Sequence, residues 1–355
     1  MRIALLAHAR QPVARPFMGG MEAHAWHLAA GLTARGHDVT LFASGDSDPR
    51  FRIDPVLPAA QERAFPGREH RGDPDLVGHV DAGYAAACDR IAAGGYDVVH
   101  NNALSRLPLE RRRTARVPTV TSLHTPPYDA LRWFVYDSPA PGHRITATSQ
   151  AHLAQWWPEG APPEASVLHN GIEPAAWPFV PRGDGSAAWS GRIAPVKGAH
   201  RAVEAARLAG VPLTLFGPIE EQDYWEARVK PLVNGPVRYG GHLDDRALAA
   251  EIGRASVFLF TPLWDEPFGL TAVEAMACGL PVAATDRGAA REVLGEAGQL
   301  APPGDAVALA EALRGALMVD RSVPRARVLR LFTHDRWLDG CEVLYAAARA
   351  SAAAA

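Results

Sequence analysis

Two glutamates flank a Pro-Phe-Gly segment in the stretch EPFGLTAVE, of which Glu266 and Glu274 are the first and last residues. Glu274 lies in a segment whose other residues predict a buried helix, and a buried carboxylate is costly unless a partner compensates for its desolvation. The residues just before it fall where that helix should begin, and free backbone N–H groups there suit ligand hydroxyls or an anion. Because carboxylates accept pairs of hydroxyl hydrogen bonds, the stretch predicts a polyol site. The alternative is a capping glutamate and an exposed glutamate on an amphipathic helix.

A glycine, an arginine and a lysine lie upstream, between a predicted strand end and a predicted helix start. Gly191 and Arg192 follow the strand, and Lys197 and Gly198 begin the helix. Glycine lets a phosphate approach the backbone, while arginine supplies a fork of donors and lysine a compact charge. Lys197 is one of two lysines in the chain, the other being Lys230. A cation at a helix start opposes the helix dipole, so the loop predicts an anionic ligand, with a solvated surface charge as the alternative.

Two features of the N-terminal half carry weaker signals. Gly19 and Gly20 open a predicted helix ahead of Glu22, and glycines at a helix start again suit the close approach of a phosphate. They are no dinucleotide fingerprint, because G-x-G-x-x-G is missing after the preceding strand. His124 follows another predicted strand, where a histidine considered alone indicates a loop hydrogen bond more often than catalysis.

The elements that must position these residues alternate between short apolar runs and helical patterns. A strand, a glycine loop, a helix and a strand within about forty residues are typical of a βαβ unit with a parallel sheet. The stretch WPEGAPP at residues 157–163 predicts a break, after which the alternation restarts as a second α/β domain. Ligands of such sheets bind at the carboxyl ends of the strands. Strands are predicted at 3–8, 38–43, 97–100, 119–123, 145–148, 187–190, 213–216, 237–239, 257–260 and 281–284, and helices at 20–35, 76–93, 198–209, 244–253, 269–278, 305–318 and 335–349.

Composition argues against several classes of protein. The chain has 355 residues, of which 48% are hydrophobic, and this length suits two domains of ordinary size. A formal net charge of −3 argues against a nucleic-acid coat, and no apolar run approaches the length of a transmembrane helix. The 3 cysteines are far apart, which indicates reduced thiols rather than a disulfide frame or a zinc site. We therefore expect a cytoplasmic protein, with peripheral contact with a membrane left open.

Taken in order, the motifs resemble those of the retaining nucleotide-sugar glycosyltransferases of family 4, which have the GT-B fold. The E-x7-E element from Glu266 to Glu274, followed by the run AMACGLPV, is the most specific part of the likeness. The resemblance implies an α/β protein of two Rossmann-like, doubly wound parallel-sheet domains facing across a cleft. Residues 1–163 would bind the acceptor, 164–333 would bind the nucleotide sugar, and 334–355 would form a helix that packs back on the N-terminal domain. The other matching motifs are Gly19-Gly20-x-Glu22, His124, Asn170-Gly171-Ile172-Glu173, Ser190-Gly191-Arg192 and Lys197-Gly198.

The resemblance also implies roles for single residues. Arg192 and Lys197 would neutralise the donor diphosphate, and Glu274 would bind the ribose. Glu266 would hold hydroxyls of the transferred sugar, and His124 would lie beside that sugar. No metal ligands are implied. The implied catalytic residues are His124, Arg192, Lys197 and Glu266, and the implied donor-binding residues are Gly19, Gly20, Gly191, Phe268, Gly269, Leu270, Thr271 and Glu274.

The implied reaction transfers a hexose from a nucleoside diphosphate sugar to an acceptor hydroxyl, with the anomeric configuration retained. The donor is a co-substrate, so neither a cofactor nor a metal is expected. A UDP-sugar such as UDP-glucose is favoured by its frequency in the family, and GDP- and ADP-sugars stay open. The acceptor is left open among small molecules, glycans and lipids, and no nucleic-acid partner is expected. Two alternatives remain: a sugar-nucleotide epimerase of the same fold, and a non-catalytic sugar-nucleotide-binding subunit.

Overall fold

The chain divides into two compact units. The structure is a computed structural model, and it describes residues 1–66, 73–112 and 117–355. The first unit consists of Met1–Thr148, Leu153–Leu168 and Leu338–Ala355, and the second of Ser149–His152 and His169–Trp337. The expected boundary between residues 163 and 164 therefore falls inside the first unit, to which the chain returns at Leu338.

The first unit is built on a seven-stranded parallel sheet in the order β3-β2-β1-β4-β5-β6-β7. Its central strands are buried along almost their whole length, polar residues included, because parallel strands are covered on both faces. Its strands are β1 (Arg2–Leu6), β2 (Asp38–Ser44), β3 (Arg52–Leu57), β4 (Val98–Asn101), β5 (Thr119–Ser122), β6 (His143–Ala147) and β7 (Ala165–Val167), and the helices of this part of the chain are α1 (Gly20–Ala34), α2 (Gln61–Ala64), α3 (Pro74–Ala93), α4 (Leu107–Arg112), α5 (Asp129–Tyr136) and α6 (Gln150–Trp156).

The second unit is built on a six-stranded parallel sheet in the order β10-β9-β8-β11-β12-β13. The order places β8 and β11 side by side at the centre, so the loops that follow these two strands are neighbours at the carboxyl edge. The strands are β8 (Ala187–Ser190), β9 (Leu213–Phe216), β10 (Val237–Gly241), β11 (Val257–Phe260), β12 (Val282–Thr285) and β13 (Gly298–Ala301), and the helices are α7 (Ala199–Ala209), α8 (Gln222–Tyr224), α9 (Asp245–Arg254), α10 (Leu270–Ala277), α11 (Ala290–Leu294), α12 (Ala306–Ala316) and α13 (Ser322–Leu331).

Local sequence signals explain where several helices begin. Asp73, Asp244 and Asp305 each precede a helix, and each carboxylate accepts a hydrogen bond from the backbone N–H three residues further on. Such capping satisfies one of the N–H groups that a helix start leaves without an intrahelical partner.

The predicted α/β class with parallel sheets is confirmed, and every predicted helix is present close to its predicted bounds. In the described ranges, the sequence analysis missed seven α-helices, which are α2, α4, α5, α6, α8, α11 and α13. Of the strands it missed β3, β7 and β13, all of which lie at sheet edges. Edge strands have a partner on one side only, so they need no strong apolar pattern. In β3 the edge position also explains Pro55, which has no N–H to donate to a neighbouring strand.

The last helix, α14 (His334–Ala353), continues from the second unit into the first. Within the first unit, the hydroxyl of Tyr345 lies 2.6 Å from Nδ1 of His100, and both side chains are completely buried. At the surface Arg35 donates to Glu342 at 2.9 Å. Neither α14 nor any other helix in the described ranges has the length and apolar character needed to cross a bilayer.

Candidate active site

The loop after β8 packs closely on two neighbouring loops of the second unit. A Cβ at Gly217, just after β9, would overlap the carbonyl oxygen of Gly191. Gly198 has φ +68°, and a Cβ there would overlap the carbonyl oxygen of Thr261. The Thr261 hydroxyl donates to the carbonyl of Gly198 at 3.0 Å. Because only glycine permits such approaches, residues 191–198 are fixed at the carboxyl edge of the sheet.

Arg192 is paired with a carboxylate that the sequence analysis did not single out. Its Nη1 lies 2.5 Å from both carboxylate oxygens of Glu220. An isolated parallel bridge between Ile193 and Ile219 holds the two loops side by side. The two charged side chains are 33% and 27% exposed. The cation predicted to meet an anionic ligand is thus neutralised by the protein itself.

Lys197 and Glu266 form a direct ion pair between the loop after β8 and the loop after β11. The ammonium lies 2.5 Å from Oε2 of Glu266, and the indole N–H of Trp264 donates to the same oxygen at 2.7 Å. The ammonium also lies 5.1 Å from the centroid of the Trp264 ring. Glu266 is buried, with 9% of its surface exposed. Two residues predicted to be catalytic are therefore in contact.

The backbone of Glu266 is held by the loop after β12. Gly288 has φ +56°, and a Cβ there would overlap the backbone of Glu266. The N–H of Ala289 donates to the carbonyl oxygen of Glu266 at 2.9 Å. Arg287 donates to the carboxylate of Asp265 at 3.1 Å. The packing of two loops thus fixes the backbone position from which the Glu266 side chain extends.

The first turn of α10 follows Glu266. Gly269 caps this helix with φ +98°, and a Cβ there would lie 2.7 Å from the ring of Phe260. Phe268 is buried in the core of the second unit. The backbone N–H groups of Leu270 and Thr271 lie in the first turn, where no carbonyl of the helix can accept a hydrogen bond from them. The predicted donor-binding backbone therefore occupies a helix start.

Glu274 lies one turn further along α10. Burial, with a smaller contribution from the negative charge of Asp245, raises the pKa of Glu274 to about 8. In the described part of the chain, no group forms a hydrogen bond or ion pair with its carboxyl. Part of the residue remains accessible to solvent. A ligand hydroxyl would supply the hydrogen bond that this carboxyl lacks.

His124 lies in the first unit, in the loop after β5. Its Nε2 lies 2.9 Å from Oδ1 of the buried Asn102, which suits donation from the ring N–H. Its ring also meets the ring of the buried His24 edge-on, with 4.3 Å between centroids. Gly19 and Gly20 lie a few residues before His24 in the chain. Gly19 is the extended residue that precedes α1, and Gly20 is the first residue of α1. The packing sets the orientation of the imidazole, and its contact with a sugar stays a prediction.

Two family models match adjoining parts of the chain. The model described as Glycosyltransferase Family 4 matches residues 18–176, and the model described as Glycosyl transferases group 1 matches residues 181–325. The chain belongs to family 4 of the glycosyltransferases. The family resemblance expected from the motifs is confirmed.

Named relatives of this family 4 glycosyltransferase align with it over most of their own length. A phosphatidyl-myo-inositol mannosyltransferase of Mycolicibacterium smegmatis is 29% identical over an alignment of 345 positions, gaps included, which spans 90% of this chain and 86% of that protein. A glycogen synthase of Mycobacterium tuberculosis is 28% identical over an alignment of 368 positions, gaps included, which spans 89% of this chain and 86% of that protein.

Solved structures confirm the GT-B fold. Sucrose-phosphate synthase from Thermosynechococcus elongatus superposes with a TM-score of 0.77 at 22% identity, covering 96% of this chain and 98% of that chain. Anabaena HepE in complex with UDP and glucose superposes with a TM-score of 0.72 at 20% identity, covering 97% of this chain and 99% of that chain.

The sequence analysis of this glycosyltransferase missed Glu220 and Trp264. Trp264 lies two residues before Glu266 and carries no motif, although an indole beside a buried carboxylate is a plausible donor. Glu220 is 28 residues from Arg192 and belongs to a run of two glutamates in a surface loop. Only the pairing of β8 with β9 brings Glu220 to the arginine.

Proposed function

We propose that this family 4 glycosyltransferase transfers a hexose from a nucleoside diphosphate sugar to an acceptor hydroxyl, with retention of the anomeric configuration and without a metal. The observation that carries the proposal is the contact of Lys197 with Glu266 at 2.5 Å. In the second unit, a cation suited to phosphate, Lys197, is thus in contact with a carboxylate suited to sugar hydroxyls, Glu266. A sugar linked through its anomeric carbon to a diphosphate needs both groups close together.

The chemistry requires stabilisation of negative charge on the departing diphosphate. As the bond from the anomeric carbon to the phosphate oxygen breaks, the sugar becomes oxocarbenium-like and the phosphate gains charge. Lys197 and Arg192 supply positive charge for that oxygen and its neighbours, which favours the transition state over the bound donor. In this proposal the two side chains do the work that a divalent cation does in metal-dependent transferases.

Glu274 suits the ribose of the donor. Its carboxyl lies on α10 without a hydrogen-bonded partner among the described residues, and its pKa is raised to about 8. Two vicinal ribose hydroxyls can donate to one carboxylate, and such bonds favour the ionised form. Donor binding would then be accompanied by release of a proton near neutral pH.

The names of related proteins suggest which substrates to test first. HepE was solved with UDP and glucose, which supports UDP-glucose as the first donor. The relatives named as a phosphatidyl-myo-inositol mannosyltransferase and a glycogen synthase support mannose as a second sugar, and polyol lipids and glycans as acceptor classes. GDP- and ADP-sugars complete the donor panel.

The first experiment is a thermal-shift and calorimetry panel of UDP, GDP and ADP and of their sugar esters, the nucleotide sugars that carry glucose or mannose. EDTA is present throughout. We expect one nucleotide series to bind with saturation and its sugar ester to be slowly hydrolysed. The one-bond C1–H1 coupling constant of the transferred sugar, measured by NMR, should show that the anomeric configuration of the donor is retained. Absence of binding by every nucleotide would overturn the proposal, and an epimerised nucleotide sugar formed without acceptor would replace transfer with epimerisation.

A further inference from the structure

The two carboxylate oxygens of Glu266 have different surroundings. Oε2 accepts hydrogen bonds from the ammonium of Lys197 at 2.5 Å and from the indole N–H of Trp264 at 2.7 Å. Among the described residues none donates to Oε1. The protein therefore holds this carboxylate by one oxygen and leaves the other for a ligand hydroxyl.

The two donors to Oε2 respond differently to an anion. A diphosphate carries more charge than a carboxylate and attracts the Lys197 ammonium away from Glu266. The indole N–H of Trp264 carries no net charge, so a diphosphate exerts no comparable attraction on it. Without that second donor, a carboxylate that is 9% exposed would lose its partners and turn towards solvent or another donor.

Backbone hydrogen bonds hold the chain in place on both sides of Trp264. The backbone N–H of Glu266 donates to the carbonyl oxygen of Trp264 at 2.9 Å. The preceding residue, Leu263, donates its N–H to the carbonyl oxygen of Val196 at 2.8 Å, next to Lys197. The indole therefore belongs to the same rigid junction of loops as the two charged residues that it contacts.

We propose that Trp264 is the positioning residue that keeps the free oxygen of Glu266 directed at the transferred sugar while Lys197 is engaged by the donor diphosphate. The inference rests on the proposed function, since it assigns the phosphate to Lys197 and the sugar to Glu266. Its consequence is selective: loss of the indole N–H impairs recognition of the sugar and leaves recognition of the nucleoside diphosphate intact.

The test compares Trp264→Phe with the wild type. Phenylalanine keeps an aromatic ring beside the Lys197 ammonium but removes the N–H donor together with one ring of the indole, a loss of size that the control variant below also carries. We expect the calorimetric Kd for the nucleoside diphosphate to stay within about twofold, while the Kd for its sugar ester rises and kcat falls, each by about tenfold. Trp225→Phe is the matched control, because Trp225 is a buried tryptophan of the same unit that packs on Tyr239.

A double-mutant cycle shows whether Trp264 acts through Glu266. In a Glu266→Ala background, Trp264→Phe should change kcat and the Kd of the sugar ester by less than about twofold, because both oxygens that the indole N–H could position are gone. Additive effects, or an equal loss of affinity for the nucleoside diphosphate and its sugar ester, would overturn the inference.

A second measurement does not depend on the folding of a variant. The indole N–H of Trp264 in the wild type should exchange slowly with solvent in NMR spectra, both alone and with nucleoside diphosphate bound. Rapid exchange in the bound state would contradict the inference. If no nucleotide binds the wild type, the proposed function fails as well; if binding and transfer occur while Trp264→Phe behaves like Trp225→Phe, only this inference fails.

Discussion

Nη1 of Arg192 lies 2.5 Å from both carboxylate oxygens of Glu220. Lys197 is likewise paired with Glu266, so both cations proposed to bind the diphosphate are neutralised by carboxylates. A diphosphate must therefore compete with side chains of the protein for each cation. This arrangement lowers affinity for anions of low charge, because a weak competitor does not separate a close ion pair.

Replacement of Glu220 by glutamine should tighten binding of nucleoside diphosphates. The variant removes the competing charge, and a partly exposed ion pair of this kind corresponds to a change in Kd of about twofold to fivefold. Calorimetric titration measures the Kd. Glu221→Gln is the control, since Glu221 is the exposed neighbour with the same charge. Equal Kd values for the two variants would show that only net charge matters, and weaker binding would show that Glu220 orients Arg192.

Replacement of Lys197 by alanine should lower kcat by about a hundredfold or more, because a fixed positive charge at the leaving phosphate is lost. The melting temperature should also fall, since Glu266 keeps only the indole donor in its buried position. Lys230→Ala removes the other lysine of the chain, an exposed side chain paired with Glu226, and should leave kcat unchanged. Similar kcat values for both variants would contradict the diphosphate role.

The raised pKa of Glu274 predicts a pH dependence of stability. The folded state keeps its proton up to about pH 8, while the unfolded chain releases it near the ordinary glutamate value. Stability therefore falls as pH rises from about 5 to 8, and the loss is complete above that range. Glu274→Gln should remove this dependence, so that the variant melts higher than the wild type at pH 8 and the two differ less at pH 5. Parallel melting curves at all pH values would exclude the shift.

The raised pKa of Glu274 also predicts that the protein releases a proton when the donor binds. Ribose hydroxyls that donate to Glu274 favour its ionised form, so the nucleotide should bind more tightly at pH 8 than at pH 6. Calorimetry in two buffers of different ionisation enthalpy measures the proton count. Glu274→Gln should bind with less proton release and a flatter pH profile, whereas an unchanged count would place the proton elsewhere.

Gly198 should tolerate no side chain. Alanine there would take φ +68° and overlap the carbonyl oxygen of Thr261, so we expect a loss of more than about 3 kcal/mol in the free energy of unfolding. Gly185→Ala is the control, because Gly185 also has a positive φ but nothing within 4 Å of its added Cβ. It should lose about 1 kcal/mol. Equal melting temperatures would show that the loop adjusts freely.

Local patterns were sufficient for much of the fold and for the motif residues. The α/β alternation and helices such as α3 and α9 follow from apolar periodicity and aspartate caps, which act within a few residues of the chain. The E-x7-E spacing placed Glu266 before a helix and Glu274 inside it, and this placement is found. Edge strands such as β3 were missed, because half of their environment is solvent and their pattern is weak.

The partners of the charges depended on the tertiary structure. Arg192 meets Glu220 because β8 pairs with β9, and Lys197 meets Glu266 because β8 also pairs with β11. Hydrogen bonds and ion pairs act over a few ångströms in space, whatever the distance along the chain, so residue types alone do not select among the many carboxylates available. The sequence alone was sufficient to identify the cations and the motif glutamates. The strand order of the folded protein determines which carboxylate each cation meets. It also determines that Trp264 holds Glu266, the carboxylate proposed to bind the sugar.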